Sequence, residues 1–385
     1  VARVPNALRR AETLLAAGQA EARSLLPRRT TVFDAHVHVG RDIDGFVSSY
    51  DDLLDFLQAV GAARAFCFCL DEPDREPAFR AANDRTLEAA KRSEGILIPF
   101  ARLDLTDAPL EEATRALDAG ARGIKLHPRA QAFSLGDGRL DPVFALATER
   151  AVPILVHGGR GIPPIGDHLT RLCEAHPAAQ VIIAHAGVAD MAGLTASLGG
   201  RPGVFFDTSV WSALDLFDLF RRVGPEQVVF ASDYPYGRQP GSILLALKAS
   251  RRAGLSDDQI RLLMGGTAAR IASGDEPVVP SAPVGTDLGQ PLSLARMHHY
   301  ITMAITLLWT RQEERIGALG LARNTCDRLD GIPETRERVG ELLRVAQDLW
   351  TELGAQEDDG EALRLGFLVF GLLHLADIET LVASE

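Results

Sequence analysis

Cysteine is scarce in this chain. The four present, Cys67, Cys69, Cys173 and Cys326, are irregularly spaced and form no Cys-x-x-Cys pair. That excludes a disulfide framework and points to a reducing compartment. No apolar run reaches the length of a membrane span; the longest, near 301–309 and 366–375, are short and helical in pattern. The first residues lack the charged–apolar–small layout of a secretion signal, so a cytoplasmic protein is expected. There is no run of basic residues either. With 40 Lys and Arg against 52 Asp and Glu, a net charge of −12 and a pI near 5.4, neither nucleic acid nor an anionic membrane suits this surface. What is present is 46% hydrophobic and 24% charged residues over 385 positions, enough for one large α/β barrel with an appendage.

The rest of the chain is organised around Phe33-Asp34-Ala35-His36-Val37-His38-Val39-Gly40. An apolar opening reads as a buried strand. Side chains alternate along a strand, so His36 and His38 share a face about 7 Å apart, with Asp34 one step earlier on that face. Two imidazoles on one face, followed by a glycine, make half of a metal site.

Seven further β-branched-rich runs follow, at Ala62–Leu70, Ile96–Leu103, Gly123–His127, Val152–His157, Val181–His185, Val204–Thr208 and Val228–Ser232. Helical patterns separate them, among them Tyr50–Val60, Ala81–Arg92, Leu110–Ala119 and Ile243–Ala253. Strands alternating with helices imply parallel pairing, and eight units in roughly 240 residues predict a (β/α)8 TIM barrel of the α/β class. An open doubly wound sheet would want a glycine-rich phosphate loop after its first strand, and histidines stand there instead. The expected organisation is an N-terminal helix over 1–30, the barrel over 31–274, a proline-rich linker over 275–292 and an all-α domain over 293–385. The last is expected to hold three helices, at about 293–328, 334–355 and 360–383.

Chemistry gathers at the strand ends. The fourth strand ends in Lys125-Leu-His127, the fifth in His157, the sixth in His185 and the eighth in Asp233. In a parallel barrel all C-terminal ends open on one mouth, so five imidazoles, a lysine and a carboxylate converge there. Arg129, Arg160, Trp211, Tyr234 and Tyr236 fall on mouth loops, where Arg129, Arg160, Tyr234 and Tyr236 are candidates for holding substrate. Asp34 reads as a partner of backbone or ligand, and Asp207 either as an orienting group or as a surface cap. Cys67 and Cys69 fit barrel packing, and His298, His299 and His374 in the tail receive no metal.

The pieces Asp34-Ala-His36-Val-His38, Gly123-Ile-Lys125-Leu-His127-Pro128, Val156-His157-Gly158, Ala184-His185-Ala186-Gly187 and Ser232-Asp233-Tyr234-Pro235 resemble the amidohydrolase superfamily. In detail they are similar to its amidohydrolase-2 branch of decarboxylases and lactonases, related to aminocarboxymuconate semialdehyde decarboxylase. The likeness covers about 30–272 and leaves out the tail. It implies His36, His38, His157 and Asp233 as metal ligands, and Asp233 and His185 as catalytic groups. Lys125 and His127 then serve a second metal or the substrate. Three imidazoles and a carboxylate suit Zn²⁺ with an open position for water, and Mn²⁺ or Fe²⁺ fit the same donors. The implied activity is metal-dependent hydrolysis of a C–N, lactone or ester bond in a small acidic substrate. Non-oxidative decarboxylation on the same site is the alternative, and a scaffold acting through the helical tail is a third reading. The apolar stretch Gly366–Ala376 must be covered by something: the other two tail helices, the barrel's outer ring or a partner chain, and a homodimer with this helix near the contact is expected.

Overall fold

The computed structural model describes residues 3–237, 241–285, 287–310, 315–356 and 358–381. Its strands, in chain order, are β1 (Val32–Arg41), β2 (Val47–Ser48), β3 (Ala62–Cys69), β4 (Leu97–Pro99) and β5 (Ala101–Arg102). They continue with β6 (Ile124–Leu126), β7 (Ile154–Val156), β8 (Val181–Ile183), β9 (Val204–Asp207) and β10 (Val228–Val229). β2 turns back antiparallel on the end of β1, and every other pair is parallel. β4 and β5 are one barrel strand interrupted at Phe100, whose N–H bonds Cys67 O at 2.8 Å. The ladder runs β1-β3-β4 and then β5 through β10. It closes on itself where Val37 bridges Tyr234, His38 N–H donates to Tyr234 O at 2.8 Å and Asp233 N–H donates to His36 O at 2.9 Å. The result is an eight-stranded parallel barrel, as the strand–helix rhythm predicts.

Helices α1 (Arg3–Leu25), α2 (Tyr50–Val60), α3 (Arg80–Arg92), α4 (Pro109–Asp118) and α5 (Leu140–Glu149) come first. Then follow α6 (Gly166–Ala175), α7 (Met191–Leu198), α8 (Ala213–Phe220), α9 (Gly241–Arg252), α10 (Asp257–Arg261) and α11 (Thr267–Ser273). Local signals set their ends. Ser49 accepts from Asp52 N–H to start α2, and Gly61 at φ 71° stops it. α11 plugs the barrel floor, where Ala268 and Ile271 join Phe33, Phe66 and Phe100 in the inner core. Gly265 must be bare there: a Cβ would lie 2.1 Å from Thr31 O.

β1 does not alternate simply. Its pairing with β3 shifts register between Asp34 and Val37. Before the shift Phe33 and Ala35 pack in the inner core; after it Val37 and Val39 pack in the outer layer. The shift exchanges the faces and gives the inside to His36 and His38. Asp34 is therefore not their neighbour on a continuous face. Its Oδ1 accepts from His36 N–H at 3.2 Å and Ser232 N–H at 3.0 Å, pinning β1 to the end of β10.

The tail holds α12 (Leu292–Trp309), α13 (Arg315–Cys326), α14 (Pro333–Leu353) and α15 (Asp359–Ile378). The stretch read as one helix over 293–328 is two, α12 closing at Thr310. α15 buries Leu365, Val369, Phe370, Leu372 and Leu373 against α14, α12, α1 and α9 of the same chain. Of the expected covers, the neighbouring tail helices and the barrel's outer helices supply these contacts.

Candidate metal centre

Strands 1, 7 and 8 of the barrel build the centre. His36 Nε2 and His38 Nε2 each lie 3.1 Å from Asp233 Oδ1, and these three donors are buried together. His36 Nδ1 lies 2.8 Å from Asp207 Oδ2. The proton assigned from that bond sits on Nδ1, so Nε2 presents a lone pair. His38 Nδ1 faces Cys69 O at 3.5 Å, which gives the same sense.

Asp207, at the end of β9, is buried and organises a second imidazole as well. Its Oδ1 accepts from His185 N–H at 2.7 Å, Ser209 N–H at 3.0 Å and Ser209 Oγ at 2.5 Å. It is an orienting group, and the surface-cap reading falls. His185 Nδ1 lies 2.9 Å from Ser209 O and donates to it, leaving Nε2 as an acceptor 3.1 Å from His157 Nδ1. His157 then donates from Nδ1, and its Nε2 is a buried lone pair with no protein partner among the described residues. The three-donor cluster does not include His157, which stands beside it, stacked on His127 at 4.0 Å.

The strand ends are bent to aim these groups. His185 at φ 58° and Asp233 at φ 61° adopt left-handed backbone without being glycine, a strain of about 1–3 kcal/mol each of the kind that concentrates at functional sites. Gly159 lets the chain pass over the imidazoles, since a Cβ there would lie 2.8 Å from both His157 Cε1 and His185 Cδ2.

Burial holds His36, His38, His127 and His157 well below the ordinary histidine pKa, so all four are neutral and able to ligate. Burial pushes the Asp233 carboxyl well above the usual carboxylate range, with Lys125 pulling the other way. Asp34 is pushed up to about 7 by burial. Burial also pulls Lys125 down to about 7, and its Nζ lies 3.3 Å from His36 Nε2. Two imidazole lone pairs and a carboxylate oxygen crowded together out of water make a pocket of donors that a cation would satisfy. The donor set fits a divalent ion, and the orphan Nε2 of His157 offers a fourth donor of the right type.

The other predicted residues divide. Tyr236 reaches the centre: its ring meets His38 at 5.6 Å, and its hydroxyl donates to Asp42 Oδ2 at 2.7 Å. Arg129 and Arg160 stand exposed on the rim, Arg160 facing Asp215 at 3.6 Å. Tyr234 does not line the mouth: it stacks on Phe56 of α2 at 4.2 Å, in the layer between barrel and helices. Arg102 is a site residue that sequence reasoning passed over. It is buried at the end of β5, pairs in register with Lys125, and lies 3.7 Å from Asp71. A single charge inside the apolar run Ile96–Leu103 was the available signal.

A (β/α)8 barrel with a histidine–aspartate centre at its C-terminal mouth defines a metal-dependent barrel enzyme. The chain belongs to the amidohydrolase family, which residues 33–271 match, and it is an enzyme of that superfamily. No curated protein matches it. Among solved structures it is similar to IDCase of Metarhizium anisopliae, at 16% identity and TM-score 0.50 over 64% of this chain and 98% of that one. It is similar also to a dihydroxybenzoic acid decarboxylase of Polaromonas sp. JS666 with bound manganese and 2-nitroresorcinol, at 15% identity and TM-score 0.51 over 63% and 97%. A probable 2-pyrone-4,6-dicarboxylic acid hydrolase of Acinetobacter baumannii with citric acid bound matches at 14% identity and TM-score 0.48 over 63% and 99%.

Proposed function

We propose that this enzyme hydrolyses a C–N, lactone or ester bond of a small acidic substrate, with one divalent ion, zinc by its donor set, held by His36, His38, His157 and Asp233. The observation that carries the reading is the meeting of His36 Nε2, His38 Nε2 and Asp233 Oδ1 within 3.1 Å contacts at the barrel mouth. When bound, the ion supplies Lewis acidity and an acidified water. Asp233 accepts the proton of the attacking water and returns it to the leaving group. His185, its Nδ1–H committed to Ser209 O, accepts from His157 Nδ1–H through Nε2 and so keeps the His157 Nε2 lone pair turned to the ion. Asp207 fixes the His36 tautomer through the ring Nδ1 and holds His185 in place through its backbone N–H. Lys125 and His127 flank the substrate, and Arg129, Arg160 and Tyr236 meet its acidic and planar parts. Residues 31–274 carry the chemistry, 275–292 link, and 293–385 form the helical domain. The four free cysteines suit a cytoplasmic setting, and light scattering decides whether the chain works as a monomer or a homodimer.

Decarboxylation is the second reading. Arg102 and Lys125, buried and adjacent, form a water-poor cationic wall able to hold a carboxylate beside the centre, and the similar Polaromonas protein is a decarboxylase. Product analysis on metal-loaded protein separates the two. Acid released from lactones, esters and amides supports hydrolysis; carbon dioxide released from aromatic acids, with no hydrolysis, replaces it.

A further inference from the structure

The family match ends at residue 271, and the solved structures above cover no more than 64% of this chain, so the tail is an addition to the barrel. It does not merely hang behind it. Trp309, the last residue of α12, stacks on Phe46 in the loop after β1 at 5.5 Å and 16°. Its edge meets Trp211 after β9 at 4.7 Å, Tyr236 after β10 at 6.3 Å and Phe370 of α15 at 5.8 Å. Phe46 in turn meets Tyr236 at 5.0 Å, and Tyr236 touches His38. Loops from the three strands that carry His36 and His38, Asp207 and Asp233 thus converge on one tail side chain.

The seat of this side chain is fixed. Asp377 of α15, fully buried, accepts from Ala213 N–H at 2.8 Å, at the start of α8 just past Trp211. Its other oxygen lies 2.5 Å from His298 Nδ1 of α12. A buried carboxylate therefore ties α15 to the mouth by a hydrogen bond and faces α12 as an ion pair. The cationic groups Arg102, Lys125 and Arg129 come from β5, β6 and the loop after β6, strands that the ladder separates from β1, β9 and β10.

We propose that Trp309 is a specificity-determining residue: with Phe46 and Tyr236 it roofs the side of the mouth above the metal ligands, so that only flat anionic molecules reach the centre, entering over the cationic rim. The inference rests on the metal-centre reading above. The test uses the full metal-loaded chain and follows loss of the ion to two chelators, flat pyridine-2,6-dicarboxylate and bulky, flexible EDTA. In the wild type the flat chelator is the faster. Trp309→Ala speeds removal by EDTA about tenfold, the order expected from losing aromatic pairing worth up to ~1.5 kcal/mol, and changes the flat chelator's rate far less. Trp309→Phe, which keeps a ring, stays near wild type and guards against a folding defect, monitored by circular dichroism. Equal rates for the two chelators in the wild type, or an EDTA rate unmoved by Trp309→Ala, would overturn the roof alone. A chain that binds no divalent ion would remove the metal-centre reading and this inference with it.

Discussion

Asp207 and Asp233 are both buried carboxylates at strand ends, yet they do different work because their neighbours differ. Asp233 faces two imidazole lone pairs; Asp207 faces N–H groups of His36, His185 and Ser209. Asp233→Asn keeps the fold but cannot accept the water's proton, so turnover should fall by about 10²-fold or more; a near-normal rate in a steady-state assay would remove Asp233 from proton transfer. Asp207→Asn weakens the hold on the His36 tautomer. Metal affinity should drop roughly 10–100-fold, as loss of a partner behind a ligand does, measured by competition with a chromophoric chelator. Gly159→Ala should also weaken the centre, because its Cβ would meet His157 and His185 at 2.8 Å; the same titration checks it. His36, His38, His157, His185 and Asp233 were legible because each ends an apolar run. Asp207 was legible only as an alternative, since its partners arrive from β1 and the turn after β8. Arg102 stood in plain view inside an apolar run. Tyr234 misled, because a loop's direction depends on what packs beside it, here Phe56 of α2.

At the level of elements, all eight barrel strands were legible from β-branched runs and the helical patterns between them. The register shift in β1 was not, because alternation carries no mark of an extra residue. The break between α12 and α13 was missed because the polar run 310–315 between them holds no proline or glycine to mark a stop. The α12–α15 clasp was also unreadable, since His298 and Asp377 lie far apart in sequence. It gives a pH prediction. Burial disfavours the charge on His298, but the Asp377 carboxylate, helped by Asp215 and opposed by Arg160, outweighs it and raises the pKa. His374, which shares the same carboxylate, is pulled down to about 4 by burial and stays neutral. A raised folded-state pKa contributes stability that is complete below the unfolded value of about 6.5 and is lost as pH rises through the folded value. The stability gap between wild type and His298→Gln, from urea midpoints, should therefore narrow as pH rises above the unfolded value of about 6.5. A constant gap would mean that the pair is not ionised.

For the whole molecule, the barrel makes a mouth and the tail covers part of it. The tail's helices also close over α1 and α9, with Lys248 of α9 between Glu21 of α1 at 2.8 Å and Glu379 at 2.6 Å. Removing the tail at the linker should expose the faces of α1 and α9 and lower solubility, seen as aggregation in light scattering. A truncated barrel that stayed dispersed would show that these faces tolerate water. The central claim, however, is that four side chains from strands far apart in sequence hold one divalent ion. Metal analysis of purified full-length protein beside His38→Ala and Asp233→Ala tests it most directly. The account predicts about one equivalent per chain, carried by three imidazoles and one carboxylate, and a large loss in both variants while circular dichroism stays unchanged. An ion retained in full by both folded variants, or no ion in the wild type after loading with zinc or manganese, would contradict it.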